Sequence, residues 1–469
     1  MFQILEQGKP GMGRGKSEAV DIVVVGGGGA GLVAALAAAE GGAQVVVLEK
    51  AKDVTFSNTA RSGGMIMAAG TRFQRAAGIQ ETPDDLARDI FARNSHQSDP
   101  EVTMALCRTA PRLVEWLVDR WGVRLEFVQD FKYPGHSQFR MHAPPSRTGR
   151  ELITQLWEAV EAHPRILFVP HTAVERLLTG PGGEVRGVVA VTQGREEIPA
   201  RSVILACNGF GANRELVRKY IPDMAEAYYF GGVGNTGEAI LWGLELGADL
   251  AYMDAYQAHA TVAYPHGTLV TWAVVVHGGI IVNRKGQRFA NEDIGYSSFA
   301  RHVLRQEEGL AYVIFDQRIL ALTRSFAELR ESLEAGAIRG PFETLSALAE
   351  ALRIDGPGLA ETVSAYNRAM RGEGLDPLGR REGHPLSAPY YGVQVTGALF
   401  HTQGGLRVNA NVQVLRENQP IPGLYAAGGS AAGISGHGPD GYLSGNGLLS
   451  ALGLGYIAGS HASRALARA

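Results

Sequence analysis

The chain has 469 residues, 45% of them hydrophobic and 19% charged, with a formal net charge of −3. That balance suits a globular protein of roughly two to four domains. It offers no basic surface for a polyanion, which excludes nucleic acid as a partner. Only two cysteines occur, Cys107 and Cys207, and no CxxC; this excludes iron–sulfur, structural zinc and c-type haem sites and suits reduced, buried thiols in the cytoplasm.

In chain order, residues 1–18 lack a long apolar core and read as a loose tail rather than a signal peptide. Asp21–Val25 reads as a strand buried on both faces. It runs into Gly26-Gly27-Gly28-Gly29-Ala30-Gly31, which fits G-x-G-x-x-G, then into the helix-forming stretch Leu32–Glu40. Ala43–Leu48 is a second strand, ending at Glu49, 18 residues beyond Gly31. Each part of this unit has a physical task in holding a dinucleotide. Gly26 permits the tight turn, Gly28 lets backbone meet a pyrophosphate, and Gly31 lets helix and strand pack closely. The helix N-terminus offers N–H groups and partial positive charge to phosphates. Glu49 can accept from ribose hydroxyls.

Asp99–Gly122 predicts a capped amphipathic helix, with Trp116 and Leu117 packing inward, and Gly149–Ala162 a second helix. Arg140 and Arg147 lie in a polar stretch that reads as a solvated loop. Ser202–Phe210 is a strand ending in small residues, and Gly234–Glu238 opens a helix over Ala239–Gly247. Leu269–Val282, the most apolar stretch, reads as buried strands and is too short to span a bilayer. Residues 307–371 read as mostly helical, without obvious chemistry. The 61 glycines cluster at 26–31, 63–64, 231–237, 404–405 and 428–447, as expected where several loops touch one large ligand. His259, His401 and His437 are not at metal-ligand spacing, so no metal is expected.

Phe56–Gly70, Ser202–Phe210, Pro422–Gly429, the strand-like Val282–Glu292 (VNRKGQRFANE), His401–Gly405 and Gly436–Leu448 follow in an order that resembles the fumarate reductase/succinate dehydrogenase flavoprotein superfamily. The resemblance covers nearly the whole chain from residue 20. It implies an α/β fold: a Rossmann-like FAD-binding domain of the glutathione-reductase type, with a parallel sheet, from residues 19–222 and 381–469. An inserted α+β substrate or capping domain, 223–380, would complete it, with substrate held between the two. The FAD contacts it implies come from Gly26, Gly28, Gly29, Ala30, Gly31, Glu49 and Lys50, from Ser57, Asn58, Thr59, Ser62, Gly63 and Gly64, and from Ala173 and Val174. Ala206, Cys207, Asn208, Gly209 and Asn213 follow, then His401, Gly428, Gly429, Gly445, Asn446, Gly447 and Leu448. Membrane fumarate reductases tether the flavin to a histidine near the second-strand turn. Ser57-Asn58-Thr59 stands there in this chain, so non-covalent FAD is expected.

Fumarate reductases hold a dicarboxylate with arginines. At the matching places this chain has Tyr296, just beyond Asn291-Glu292, and Tyr442. A buried dianion without its cations loses several kcal/mol per unpaired ion, which argues against fumarate or succinate. Two phenols instead suit desaturation beside a carbonyl: one polarises the ketone oxygen and the other takes the acidified proton. Asn-Glu followed by Tyr resembles the 3-ketosteroid dehydrogenases, and Tyr442-Leu443-Ser444 is similar to their 4-dehydrogenase branch. Ser444 either relays a proton or caps the helix starting near Asn446. The resemblance implies a small-molecule cyclic ketone, a 3-ketosteroid above all, as substrate and an external electron acceptor: oxygen, a quinone or a redox protein. Other readings are a desaturase of a small cyclic keto acid such as 4-oxocyclohexanecarboxylate, a fumarate-reductase-like reductase of organic acids, and a flavin-binding protein without catalysis.

Overall fold

Val20–Val25, Val45–Leu48 and Ile166–Val169 are apolar apart from Asp21 and almost wholly buried. That composition belongs to a parallel sheet covered on both faces. The structure, a computed structural model, describes residues 19–192 and 194–467; the expected N-terminal tail lies outside the described residues. It divides into two compact units, one of residues 19–222, 231–256 and 401–467, the other of 223–230 and 257–400.

The sheet of the first unit runs in the order Gln413–Arg416, Gln419–Ala426, Arg195–Leu205, Val20–Val25, Val45–Leu48, Ile166–Val169. The last five strands are mutually parallel, with Ile22 beside both Val45 and Ser202. An antiparallel arm, Ala173–Thr179 and Val185–Val191, extends from Arg195–Leu205. The helix Gly29–Glu40 is buried from Gly29 to Ala39 and packs against the long helix Asn446–Leu466. The helix Pro100–Trp121 begins at its Asp99 cap, which accepts from the Glu101 and Val102 N–H groups, and ends at left-handed Gly122. Leu117 is fully buried, while Trp116 donates its indole N–H to Glu40. Gly149–Ala162 is helical as expected.

In the second unit, Tyr390–Thr402 is the central strand. It pairs in parallel with Tyr228–Tyr229 and antiparallel with Leu310–Asp316, which in turn pairs with Ile280–Val282. Leu269–Val282 contains only one strand, because Ala273–Val276 forms a single helical turn before it. Residues 307–371 are mostly helical, as expected, but Leu310–Asp316, buried at every position, is a core strand among them. Residues 231–256 group with the first unit and 381–400 with the second. No helix among the described residues is long and apolar enough to cross a membrane.

Candidate active site

The glycine turn of the first unit closes on itself. A Cβ on Gly31 would lie 1.9 Å from the Gly26 carbonyl oxygen, so helix and turn meet only because no side chain intervenes. Gly28 caps the helix Gly29–Glu40 without any side-chain hydrogen bond. Thr59 Oγ1 accepts from Gly29 N–H at 3.2 Å, bringing the second glycine–serine turn against the first. Glu49 accepts from Gly27 N–H (2.6 Å) through one carboxylate oxygen and from Ala51 N–H (2.7 Å) through the other. Asn58 Oδ1 accepts from Gly232 N–H and Asn235 Nδ2. Lys50 pairs with Glu238 and reaches Thr236 Oγ1 at 3.3 Å. Ser62 donates to the Thr59 carbonyl and accepts from Gly64 N–H, while Ser57 Oγ accepts from Ala60 N–H.

Later segments converge on the same unit. Ala206 donates its N–H to the Val25 carbonyl at the strand ends. Asn208 adopts a positive φ of 69°, and its carbonyl accepts from Ser430 Oγ at 3.1 Å. Cys207 Sγ lies 3.8 Å from that hydroxyl, and burial pushes its thiol up to about 11. Gly428 and Gly429 form the turn that carries Ser430. Asn213 caps the helix Arg214–Tyr220 and donates to the Thr236 carbonyl. Ala173 and Val174 open the antiparallel arm.

A buried polar chain underlies the C-terminal loop. Asn446 Nδ2 donates to Ser435 Oγ (3.0 Å), Ser435 donates to Gln403 Oε1 (2.9 Å), and Gln403 Nε2 donates to His401 Nδ1 (2.8 Å). Burial lowers His401 to about 4, so the ring is neutral. Its ring stands edge-on to Tyr442, centroids 5.9 Å apart. The loop is held from outside through main-chain oxygens. Arg93 donates to Tyr442, Asn94 to Ile434 and His136 to Ser444. Gly445, with φ 97°, caps the following helix without a side-chain bond, so Ser444 is not its cap. Gly447 and Leu448 sit in the first turn of that helix. Arg140 is not solvated. It is 1% exposed and paired with Glu81 and Asp89. His437 is an exposed partner of Asp254.

Tyr296 belongs to the second unit. The strand Ile280–Val282 leads through a turn into Asn291, which caps Glu292–Ile294 by accepting from Asp293 N–H. Gly295, at φ 89°, redirects the chain, and Tyr296 is the first residue of the helix Tyr296–Leu304. Behind this corner lie four buried charges. Arg288 grips both oxygens of Glu292 (2.8 and 2.5 Å) and donates to Asp376 at 2.5 Å. Arg380 Nη1 stands 3.6 Å from Glu292 and donates to the Gly279 carbonyl, while its Nη2 donates to the Val275 carbonyl. The ring of Tyr296 stacks on His259, centroids 4.6 Å apart and planes 18° from parallel. His259 Nδ1 meets Thr261 Oγ1 at 3.0 Å, and burial lowers this imidazole to about 3. Among the described residues no three His, Cys, Asp or Glu side chains cluster in a way that could hold a metal.

The FAD binding domain family matches residues 21–448 of this chain. Urocanate reductase of Eggerthella lenta is 31% identical over 91% of this chain and 72% of its own length. NADH:fumarate oxidoreductase of Klebsiella pneumoniae is also 31% identical, over 90% of this chain, which spans only 45% of that longer protein. Among solved structures, a flavocytochrome c3 fumarate reductase superposes with a TM-score of 0.80 at 30% identity, covering 96% of this chain and 79% of that one. The 3-ketosteroid-Δ4-(5α)-dehydrogenase of Rhodococcus jostii, solved with 4-androstene-3,17-dione, superposes with a TM-score of 0.72 at 27% identity, covering 97% and 99%.

Proposed function

The chain belongs to the FAD binding domain family and is an FAD-dependent oxidoreductase of the fumarate reductase group; from that premise we propose that it desaturates a neutral cyclic ketone beside its carbonyl, with 3-ketosteroids as the substrate class. The observation that carries this reading is the stacking of the Tyr296 phenol on a neutral, buried His259. An uncharged aromatic setting suits a ketone and would leave a dicarboxylate without counter-charge. The full-length similarity to the Rhodococcus jostii enzyme supports it.

The residues of the first unit fit FAD. The helix at Gly28 meets solvent with no side-chain cap, as a phosphate-binding N-terminus does. The buried Asn446 Oδ1, in the first turn of the C-terminal helix, has no donor among the described residues and suits a polar ligand atom. In our reading Gly26–Gly31 and Glu49 hold the dinucleotide half. Ser57–Gly64, Asn208–Gly209 and Gly428–Leu448 line the remainder, and the attachment is non-covalent, with Ser57-Asn58-Thr59 in the tethering position. When bound, FAD supplies the two-electron acceptor for hydride from the carbon one bond beyond the activated position.

Tyr296 and Tyr442 divide two tasks. One donates a hydrogen bond to the ketone oxygen, stabilising the enolate-like state. The other takes the proton from the carbon beside the carbonyl. Ser444 relays that proton onward. Electrons then leave to an external acceptor.

A second reading, reduction of an unsaturated organic acid, is favoured by the 31% identity to urocanate reductase. One experiment separates the two. The purified protein is mixed anaerobically with androstanedione and, separately, reduced with dithionite and mixed with urocanate or fumarate. Bleaching of oxidised flavin by the ketone is expected. Rapid reoxidation by the acids, without bleaching by any ketone, would establish the second reading instead.

A further inference from the structure

The rings of the second unit continue beyond the proposed catalytic tyrosine. Tyr296 stacks on His259, and His259 on Phe400 at 5.4 Å and 27°. Phe400 stacks on Phe230 at 4.6 Å and 11°, and Phe230 meets Tyr228 edge-on at 6.4 Å. Strand register makes this row. Tyr228 pairs with Ala398 and Tyr229 with Leu399, so Phe230 falls beside Phe400. Phe230 N–H then bonds the Leu399 carbonyl at 2.9 Å. Tyr228 and Phe230 are two residues apart and share a face of the strand.

Exposure rises along the row outward from His259. His259 is 5% exposed, Phe400 and Phe230 are half-buried, and Tyr228 is 53% exposed. Tyr264, on the hairpin whose Gly267 lies against the Tyr228 hydroxyl, is 49% exposed. A row that served packing alone would bury its outer members. Contiguous apolar surface left open beside a catalytic candidate marks a ligand-binding groove. Each step along the row is comparable with the width of one saturated ring. A single-ring ketone held at Tyr296 would reach no further than the near rings. Only a body of several fused rings extends to Phe230 and Tyr228.

We infer that Phe230 and Tyr228 form a distal subsite that selects elongated, multi-ring apolar ketones over single-ring ones. This rests on the reading of Tyr296 as a residue of the substrate site. The test uses full-length holoprotein, androstanedione as the four-ring probe and methylcyclohexanone as the one-ring probe. In Phe230→Ala, the ratio of kcat/KM for the long ketone to that for the short one should fall on the order of tenfold, through KM. Tyr228→Ala, at an exposed position, should lower the same ratio and guards against misfolding at Phe230. An unchanged ratio in both variants overturns the subsite. Binding, followed as perturbation of the flavin spectrum, is measured in parallel. Tight binding of androstanedione that weakens in both variants, without turnover, would keep the subsite and remove the proposed reaction. Failure of the wild-type protein to bind the four-ring ketone more tightly than the one-ring ketone removes the subsite.

Discussion

His136 donates from Nε2 to the main-chain carbonyl of Ser444, 2.9 Å away and 308 residues along the chain. Burial drives this imidazole down to about 3. Its other nitrogen faces Arg140 Nη1 at 3.5 Å, so one neutral tautomer serves both contacts. The bond anchors the turn that carries Tyr442 and Ser444. His136→Leu leaves the carbonyl buried without its donor and should cost about 1–3 kcal/mol. Urea denaturation reads this directly, and an unaltered midpoint would show the contact to be idle.

Tyr296→Phe and Tyr442→Phe remove only a hydroxyl each. If the two phenols share proton transfer and carbonyl binding, each variant should slow ketone-driven flavin reduction by roughly 10²–10⁴-fold while retaining flavin. Single-turnover absorbance kinetics measures this. Wild-type rates in both variants would take the chemistry away from these residues.

Arg288 carries two buried carboxylates, Glu292 and Asp376. Arg288→Met removes the one side-chain cation described for Asp376 and leaves Glu292 only the more distant Arg380, and the expected loss is about 3–5 kcal/mol. Arg284 is a control four residues earlier. Its partners Glu307 and Glu308 are exposed, and Arg284→Met should cost far less than Arg288→Met. Equal losses for the two variants, by chemical denaturation, would contradict the burial argument.

The nucleotide-binding unit was legible in sequence because its determinants are local: an apolar strand, a glycine turn and an acid at the end of the next strand. The helix Pro100–Trp121 was legible for the same reason, through Asp99 and Gly122. Arg140 was misread as solvated because its partners Glu81 and Asp89 lie 59 and 51 residues away. The strand Leu310–Asp316 was hidden among helix-forming neighbours, although the six residues Leu310–Phe315, without polar alternation before Asp316, are the mark of a strand buried on both faces. Within Leu269–Val282, tertiary packing overrode the β propensity of Val274–Val276. The His401–Gln403–Ser435–Asn446 chain had no sequence signal, since it exists only once distant loops meet.

Acid should destabilise the protein earlier than carboxylate titration alone would. Burial lowers His136 and His259 to about 3, and His142 and His401 to about 4. In the unfolded chain these rings titrate near about 6.5. Below that value the unfolded state binds protons that the folded state refuses, so stability falls with pH. The contribution is complete above about pH 6.5 and is lost as pH drops toward the folded values. Tm should decline between about pH 6 and pH 4.5, with net proton uptake on unfolding in calorimetry. A flat Tm over that window would mean that these imidazoles are charged in the native state.

Glu49 clasps Gly27 and Ala51 with its two oxygens, so the glycine loop proposed to meet a pyrophosphate is already fixed by the chain's own acid. Little ordering is then left for the nucleotide to impose on arrival. Stripped of its coenzyme, the polypeptide should keep this cradle in shape and regain its yellow colour on mixing, without passing through a refolding step.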